Sequence, residues 1–258
     1  MLDYFGLPSS VEELKEDEYR DEEGFKCCSK CSTRRECVEE AFGSTKLPIL
    51  CKCQAEEVEQ EQKEEEEAER KERHKLRILN SGIRGRYENI VIDDMRETVE
   101  NKNALWLGRG YVKRFRLDIQ TLILTGSVGT GKTMLACAIA NELMALGRTV
   151  RFYSVTEIAN MPMGFEYEYR RDKFNRDLER VSLVIFDDLG AERVTSTARE
   201  KVFDAIYRRY ETGKPMIVTT NMSEKALKSP KGIEEERMLD RILHGAIVSD
   251  MGSISERR

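Results

Sequence analysis

Eight consecutive residues have the types and the spacing that bind a chain of phosphates. They are Gly126, Ser127, Val128, Gly129, Thr130, Gly131, Lys132 and Thr133. In the pattern G-x-x-x-x-G-K-[ST], backbone N–H groups face phosphate oxygens, the lysine reaches the β- and γ-phosphates, and the last hydroxyl holds Mg²⁺. An ordinary glycine-rich turn is the alternative. An apolar run precedes the loop and a run with helical spacing follows it, so the sequence predicts a nucleoside triphosphate site.

Two acids and an asparagine come directly after two further apolar runs. Asp187 and Asp188 follow one run, and Asn221 follows the next. In ATPases with such a loop, the first acid orders Mg²⁺ and the second orients or deprotonates the attacking water. We therefore expect Asp187 to act with Thr133 on the metal, Asp188 on the water, and Asn221 near the γ-phosphate or the water. An asparagine that only turns the chain is the alternative for Asn221.

Arg237 and Arg241 lie one helical turn apart on the same face of a predicted helix. Arginine commonly stabilises the charge that develops on a transferred phosphoryl group, and a neighbouring subunit often supplies it. Both arginines are therefore candidate catalytic residues. Salt bridging at the surface is the alternative for each of them.

Six of the seven cysteines lie within the first 53 residues, where two close pairs stand out. The pairs are Cys28 with Cys31 and Cys51 with Cys53. Two such pairs can close a tetrahedral zinc site, and four thiolates leave no open position, so the zinc would be structural. Cys27 could replace Cys28, and Cys37 could pack in a small core. Buried thiols without metal and redox chemistry are the alternatives.

Five short apolar runs predict the strands of one sheet, with helices between them. The runs are residues 118–125, 149–154, 182–186, 215–220 and 245–250. Apolar strands that alternate with amphipathic helices are typical of a parallel sheet covered on both faces. The expected fold class is therefore α/β. The carboxyl ends of parallel strands converge on the ligand, which would gather the loop, the acids and Asn221.

Composition divides the 258 residues into three segments. Residues 1–53 are the expected zinc-binding domain, 54–79 a charged helical linker, and 80–258 the ATPase domain. The linker helix carries acid-first i, i+4 charge pairs, and a partner-binding helix is its alternative. The net charge of −5 argues against a large nucleic-acid footprint. With no apolar run near the about 20 residues of a membrane span and no signal peptide, a cytoplasmic location without membrane contact is expected.

These signals together resemble an AAA+ ATPase, and more narrowly the DnaC/DnaI-type replicative helicase loaders and the related IstB-like transposition ATPases. The segments that carry the resemblance are residues 83–89, 187–192, 219–223, 236–242 and 252–258. The resemblance implies an AAA+ P-loop core with a five-stranded parallel sheet over residues 80–258. By position, Asn221 resembles the sensor-1 residue and Arg241 the arginine finger that acts on a neighbour, with Arg237 as the alternative. Many loaders carry their helicase-binding domain in the N-terminal segment.

The resemblance implies an ATP-dependent loader that binds the hexameric replicative DNA helicase and delivers it to single-stranded DNA. ATP and Mg²⁺ would be its cofactors, with structural Zn²⁺. Its ATPase would be weak alone and stimulated by self-association through the ATPase domain, by single-stranded DNA or by helicase. An IstB-like helper that binds target DNA and a transposase is the alternative, although the acidic residues 12–40 argue against it. An adaptor whose nucleotide only stabilises the fold is a third reading.

Residues 157–180 combine aromatic residues with arginines. Such a mixture can stack bases and screen phosphates. In initiator and loader relatives, an extra helix at this position contacts single strands and packs filaments. Glu166 and Glu168 dilute the basic character, so nucleic-acid contact and an ordinary packing helix both remain open.

Overall fold

The computed structural model describes residues 14–38, 46–116, 119, 121–162, 164–190, 195–230 and 232–253. The chain divides into two compact units, Met1–Lys71 and Glu72–Arg258. This division falls inside one long helix, α1, which spans Lys52–Ser81. Each unit is described by itself below.

The N-terminal unit is built from two short antiparallel hairpins. Strand β1 (Glu18–Arg20) pairs with β2 (Lys26–Cys28), and β3 (Glu36–Val38) pairs with β4 (Lys46–Pro48). Among the described residues of this unit, the buried side chains are Cys27, Cys28, Cys51 and Arg35. A unit with so little apolar burial needs another source of stability, such as ion pairs or a metal.

Helix α1 contains 30 residues and covers the whole predicted 54–79 segment. Most of its side chains are exposed, and i, i+4 ion pairs such as Lys71 with Glu67 support it. The helix ends at Ser81, whose hydroxyl donates to the carbonyl oxygen of Ile78. Gly82 follows with a φ of 85°, where a Cβ would lie 2.8 Å from the carbonyl oxygen of Phe152. Only glycine fits this helix end.

The C-terminal unit contains one five-stranded parallel sheet. Its strands are β5 (Leu122–Thr125), β6 (Val150–Ser154), β7 (Leu183–Leu189), β8 (Met216–Thr220) and β9 (Ile247–Asp250), in the order β6-β7-β8-β5-β9. The five predicted strands and the α/β class are confirmed. Strand β5 begins at Leu122 rather than at residue 118, which lies outside the described residues. Strand β7 continues past the predicted end at Phe186 through a bulge, so it contains both acids.

Helices cover both faces of this sheet. They are α2 (Lys102–Lys113), α3 (Lys132–Ala145), α4 (Val155–Ala159), α5 (Glu168–Arg180), α6 (Ser196–Glu211), α7 (Glu224–Leu227) and α8 (Ile233–Leu243). Leu122 and Leu124 of β5 join a core with α2 and α3, whereas Ile123 joins the core with α4, α5, α6 and α8. This alternation is that of a strand buried on both faces. Every helix in the described part of the chain is too short or too polar to cross a membrane.

A buried arginine joins α5 and α6 to the starts of two strands. Arg209 is fully buried, and its guanidinium donates to the carbonyl oxygens of Pro215, Leu178, Val181 and Ser182 at 2.7 to 3.1 Å. Burial lowers the pKa of Arg209 to about 10, so the side chain stays charged at neutral pH. Arg209 therefore fixes where β7 and β8 begin, and so where their carboxyl ends lie.

Candidate functional site

The phosphate-binding loop connects the end of β5 to the first residue of α3. Gly126 has a φ of 137°, and a Cβ there would lie 2.9 Å from the carbonyl oxygen of Gly252. The Thr130 hydroxyl donates to the carbonyl oxygen of Ser127 at 3.0 Å and holds the loop closed. Helix α3 begins at Lys132, so its positive end points toward the loop. This arrangement suits a bound phosphate chain.

Lys132 connects the loop to the neighbouring strand. Its Nζ donates to the carbonyl oxygens of Gly126 at 2.9 Å and Ser127 at 2.7 Å, and to Asn221 Oδ1 at 2.8 Å. Asn221 follows the last residue of β8, the strand beside β5. The structure thus brings together Lys132 and Asn221, which are 89 positions apart in the sequence.

Asp187 lies beside the residue that follows the lysine. Its Oδ1 accepts hydrogen bonds from the hydroxyls of Thr133 at 2.8 Å and Thr219 at 2.7 Å. Burial raises the pKa of Asp187 above its ordinary value, while these two hydroxyls oppose the shift. A hydroxyl and a carboxylate at this separation are the oxygen ligands that Mg²⁺ prefers. The residue set at Thr133 and Asp187 therefore fits the predicted magnesium ion.

Asp188 reaches the same site because the backbone of β7 departs from a regular strand. Consecutive side chains of a regular strand point to opposite faces. Asp188 instead has a φ of 63° and lies in the bulge between Phe186 and Leu189. Its Oδ1 accepts a hydrogen bond from Asn221 Nδ2 at 3.1 Å. Lys132, Asn221 and Asp188 thus form one continuous hydrogen-bonded chain.

Thr219 holds both acids, and the sequence analysis missed it. The hydroxyl of this buried residue donates to Asp187 and accepts from the backbone N–H of Asp188 at 2.9 Å. Thr219 of β8 stands two residues before Asn221, which follows the strand, and the two side chains point to the same side. Thr220 points the other way, and its hydroxyl donates to the carbonyl oxygen of Leu189. This alternation is the signal in the sequence from which Thr219 could have been found.

The exit of β9 also contacts the loop, which the sequence analysis did not foresee. The backbone N–H of Ser127 donates to the carbonyl oxygen of Gly252 at 3.0 Å. The backbone N–H of Ser253, the residue after Gly252, donates to Glu100 Oε2 at 2.6 Å. Glu100 lies two residues before the start of α2. The loop is therefore supported from β9 as well as from β8. Residues 254–258 of the predicted closing motif lie outside the described residues.

The two candidate arginines differ in their surroundings. The guanidinium carbon of Arg241 lies 4.9 Å from the ring centre of Tyr207 and 5.5 Å from that of Phe203. Its Nη1 donates a hydrogen bond to the carbonyl oxygen of Arg237. Arg241 Nε is buried without a hydrogen-bond partner. Arg237 is exposed. Among the residues with described positions, neither arginine side chain forms a hydrogen bond or ion pair with Asp187 or Asp188.

Four cysteines of the N-terminal unit converge on one point. They are Cys28, Cys31, Cys51 and Cys53, and their sulfur atoms all lie within 4.8 Å of one another. Zinc–sulfur bonds of about 2.3 Å in a tetrahedron place the sulfurs about 3.8 Å apart, so the cluster fits a metal ion. The Arg35 guanidinium lies 3.5 Å from Cys28 Sγ and offsets the negative charge that four thiolates bring.

Cys27 and Cys37 lie apart from this cluster. The Cys27 thiol points to Asp21 and the carbonyl oxygen of Phe25, on the opposite side of β2 from Cys28. Cys37 is in β3, opposite Leu47. Of the two alternatives at the first ligand position, Cys28 is therefore the one that the structure favours. The Thr33 hydroxyl, 3.0 Å from Cys31 Sγ, and a hydrogen bond from the Cys53 backbone lower the pKa of Cys31 to about 5, whereas the neighbouring thiols of Cys51 and Cys28 raise the pKa of Cys53.

The 157–180 segment contains a packing face and an exposed face. Phe174 and Leu178 of α5 are buried against the sheet. Tyr169 is 73% exposed, and the Arg170 guanidinium lies 5.9 Å from the ring centre of Tyr167. Residue 163 of this segment lies outside the described residues. The packing role is thus present, and the exposed face remains a candidate for nucleic-acid contact.

A glycine loop between a buried strand and a helix, facing two acids and an asparagine, defines a P-loop nucleotide-binding protein of the α/β class. The chain belongs to the family of IstB-like ATP binding proteins, whose family model matches residues 58–258. The predicted resemblance is confirmed.

Two curated relatives and one solved structure show the range of similarity. The replicative helicase loader DnaC of Escherichia coli strain K12 is 30% identical over 168 residues, which cover 64% of this chain and 67% of DnaC. The insertion sequence IS5376 putative ATP-binding protein of Geobacillus stearothermophilus is 29% identical over 140 residues, 54% of this chain and 55% of that protein. The crystal structure of the DnaC helicase loader has a TM-score of 0.53 at 24% identity and covers 65% of this chain and 99% of that one. This last similarity shows the fold.

Proposed function

We propose that the protein is an ATPase that loads a hexameric replicative helicase onto single-stranded DNA. The observation that carries the proposal is the intact hydrogen-bonded network of Lys132, Asn221 and Asp188, in a chain 30% identical to a replicative helicase loader. A chain that used nucleotide only to stabilise its fold would have no need for an acid and an amide aligned with the lysine.

The residues of the network have separate roles in hydrolysis. Lys132 would bind the β- and γ-phosphates of ATP in place of the loop carbonyls, and Thr133 and Asp187 would hold Mg²⁺, which would supply positive charge to those phosphates. Asp188 orients the attacking water or takes its proton. Asn221 donates a hydrogen bond to Asp188 and accepts one from Lys132, so it would hold the acid near the lysine that binds phosphate. Hydrolysis then depends on one hydrogen-bonded unit rather than on independent groups.

An arginine from a neighbouring copy completes the site. Among the described residues, the side chains of Arg237 and Arg241 make no hydrogen bond or ion pair with Asp187 or Asp188 of their own chain, which is the arrangement expected of residues that act on a neighbour. Self-association through the ATPase domain therefore raises a weak basal rate, and such an arginine contributes about 10³–10⁵ in rate. Equal helicase-stimulated ATP hydrolysis rates for wild type and Arg241→Ala would exclude Arg241 as the arginine that acts on a neighbour. Arg237→Ala tests the alternative in the same assay.

The N-terminal segment supplies the contact with the helicase. We assign residues 1–53 to a zinc-binding domain, 54–79 to a linker and 80–258 to the ATPase domain. The four-cysteine cluster supports the zinc assignment, because the buried side chains among the described residues of this unit are three cysteines and an arginine and do not form an apolar core. Loss of the metal would then remove helicase binding and leave nucleotide binding in place.

Co-elution on a gel-filtration column tests the proposal. The full chain is mixed with the hexameric replicative helicase of the same cell, with and without ATP and Mg²⁺. We expect co-elution of the wild type and loss of co-elution for Cys28→Ser, while Cys37→Ser serves as the matched control outside the cluster. A wild-type chain that does not co-elute with the helicase would contradict the loader function.

A transposition helper is the second candidate function. The similarity to the insertion-sequence protein favours it. Such a helper would bind duplex target DNA and a transposase. Binding of duplex DNA more tightly than single strands of the same length, without helicase binding, would support this candidate over the loader.

A further inference from the structure

Helix α2 and the residues after it form a basic region in an acidic chain. Residues 102–116 contain five lysines and arginines and no acid, although the net charge of the chain is −5. Helix α2 lies outside both the ATP site and the 157–180 segment. Neither the hydrolysis mechanism nor the helicase contact uses it.

The side chains of α2 are divided between two faces. The buried face consists of Ala104, Leu105, Gly108 and Tyr111. It packs closely on α3, since a Cβ at Gly108 would lie 3.1 Å from Leu135. This packing fixes which side of α2 faces outward. A tryptophan and three cations lie on that outward side.

The outward face consists of Lys102, Trp106, Arg109 and Lys113, and we call it the α2 stripe. Their spacing of four, three and four residues places them along one line of the helix. All four are exposed. At a rise of 1.5 Å per residue the stripe is about 16 Å long. A single nucleic-acid strand of that length carries several phosphates.

The stripe is available for a ligand. Neither the Lys102 nor the Lys113 side chain has a hydrogen-bond or ion-pair partner in the described part of the chain, whereas the Arg109 side chain pairs with Asp93 at 3.0 Å and Glu97 at 3.8 Å. Trp106, the single tryptophan of the chain, is 66% exposed. An exposed indole between two unpaired cations is unusual for a surface that only faces water.

We propose that the α2 stripe binds single-stranded nucleic acid. A base stacks on Trp106, and Lys102 and Lys113 contact phosphates on either side of it. Stacking on an exposed ring requires an unpaired base, which favours a single strand over a duplex. An acidic peptide would satisfy the lysines and leave the indole face without a matching group. The proposal rests on the loader function, because it names the surface that would hold the single strand onto which the helicase is loaded.

Intrinsic fluorescence tests the proposal on the full chain. Because Trp106 is the single tryptophan, its emission reports the stripe directly. Titration with an oligothymidylate, without ATP or helicase, is expected to quench this emission. In a parallel anisotropy titration with labelled oligothymidylate, Trp106→Ala is expected to bind about 5- to 150-fold more weakly. Binding of a fluorescent ATP analogue by each variant serves as the control that the variant is folded.

The charge variants use the salt dependence of binding. Lys102→Gln with Lys113→Gln removes two phosphate contacts, so the slope of log affinity against log salt is expected to fall by about 1.4. The matched control is Lys52→Gln with Lys63→Gln on α1, which removes the same charge and is expected to leave the slope unchanged. Equal affinity of the wild type, Trp106→Ala and the double α2 variant would overturn the proposal. So would binding without quenching, tighter binding of duplex DNA, or equal quenching by polyglutamate.

Discussion

Replacing Thr219 with valine removes one hydroxyl and keeps the shape of the side chain. In the structure this hydroxyl donates to Asp187 at 2.7 Å and accepts the backbone N–H of Asp188 at 2.9 Å. A hydrogen bond to a charged group contributes about 1.5–3 kcal/mol. If that contribution is needed in the transition state, kcat falls roughly 10- to 150-fold, because about 1.4 kcal/mol corresponds to a factor of ten. Nucleotide affinity is expected to change little, since Lys132 and the loop stay intact.

Steady-state ATP hydrolysis as a function of Mg²⁺ concentration measures this effect. We expect Thr219→Val to lower kcat and to raise the Mg²⁺ concentration at half-saturation, because Asp187 loses one of the groups that orient it. Thr219→Ser, which keeps the hydroxyl, is expected to restore most of the rate.

Thr220→Val is the matched control. This hydroxyl is equally buried and donates to the carbonyl oxygen of Leu189, but it lies on the opposite face of β8. The loss of this hydroxyl is expected to lower thermal stability by about as much as Thr219→Val does and to leave kcat within a few-fold of wild type. A wild-type rate and Mg²⁺ dependence for Thr219→Val, or an equal loss of rate in Thr220→Val, would refute the reasoning.

Three further predictions concern stability and metal. Arg209→Met leaves four carbonyl oxygens, three of them in buried hydrogen bonds, without their side-chain donor. We expect a loss of about 3 kcal/mol or more in the free energy of unfolding, measured by urea denaturation, and a loss under about 1 kcal/mol would contradict this expectation. Asp187 has a raised pKa, so its ionised form disfavours folding above pH 4. Asp187→Asn is therefore expected to melt at a higher temperature than wild type at pH 7. The difference is expected to vanish as the pH falls below the pKa of Asp187 in the unfolded chain. Equal melting temperatures at pH 7 would count against burial as the cause of the raised pKa. A zinc chelator is expected to release about one metal ion per chain, measured colorimetrically, and Cys51→Ser to purify without it; a metal-free wild type would exclude the site.

Local pattern was enough to predict which residues come together at the candidate site, and tertiary structure was needed for the details of their contacts. The loop, the acids and Asn221 follow apolar strands, and parallel strands bring their carboxyl ends together. The bulge that turns Asp188 toward Asn221 depends on the pairing of β7 with β8, which no local pattern specifies. Arg209 reaches carbonyls from three segments, so its burial could not be predicted from its neighbours in sequence.

The cysteines and arginines show a similar limit. Sequence spacing left Cys27 and Cys28 open as ligands, and the direction of β2 separates them. For Arg241, the sequence gives its helical face but not its stacking on Tyr207 and Phe203, because those rings come from α6. The spacing of the basic residues in α2 is visible in the sequence, but the direction in which they face follows from the packing of α2 on α3.

Loading of the replicative helicase onto circular single-stranded DNA, followed by displacement of an annealed oligonucleotide, tests the proposed function most directly. A closed circle has no end over which a ring can thread. We expect strand displacement with helicase, wild-type chain and ATP well above that with helicase alone, and strongly reduced displacement with Lys132→Ala, which lacks the amine that binds the phosphates. Displacement that is unchanged by the wild-type chain, or equally stimulated by Lys132→Ala, would contradict ATP-dependent loading.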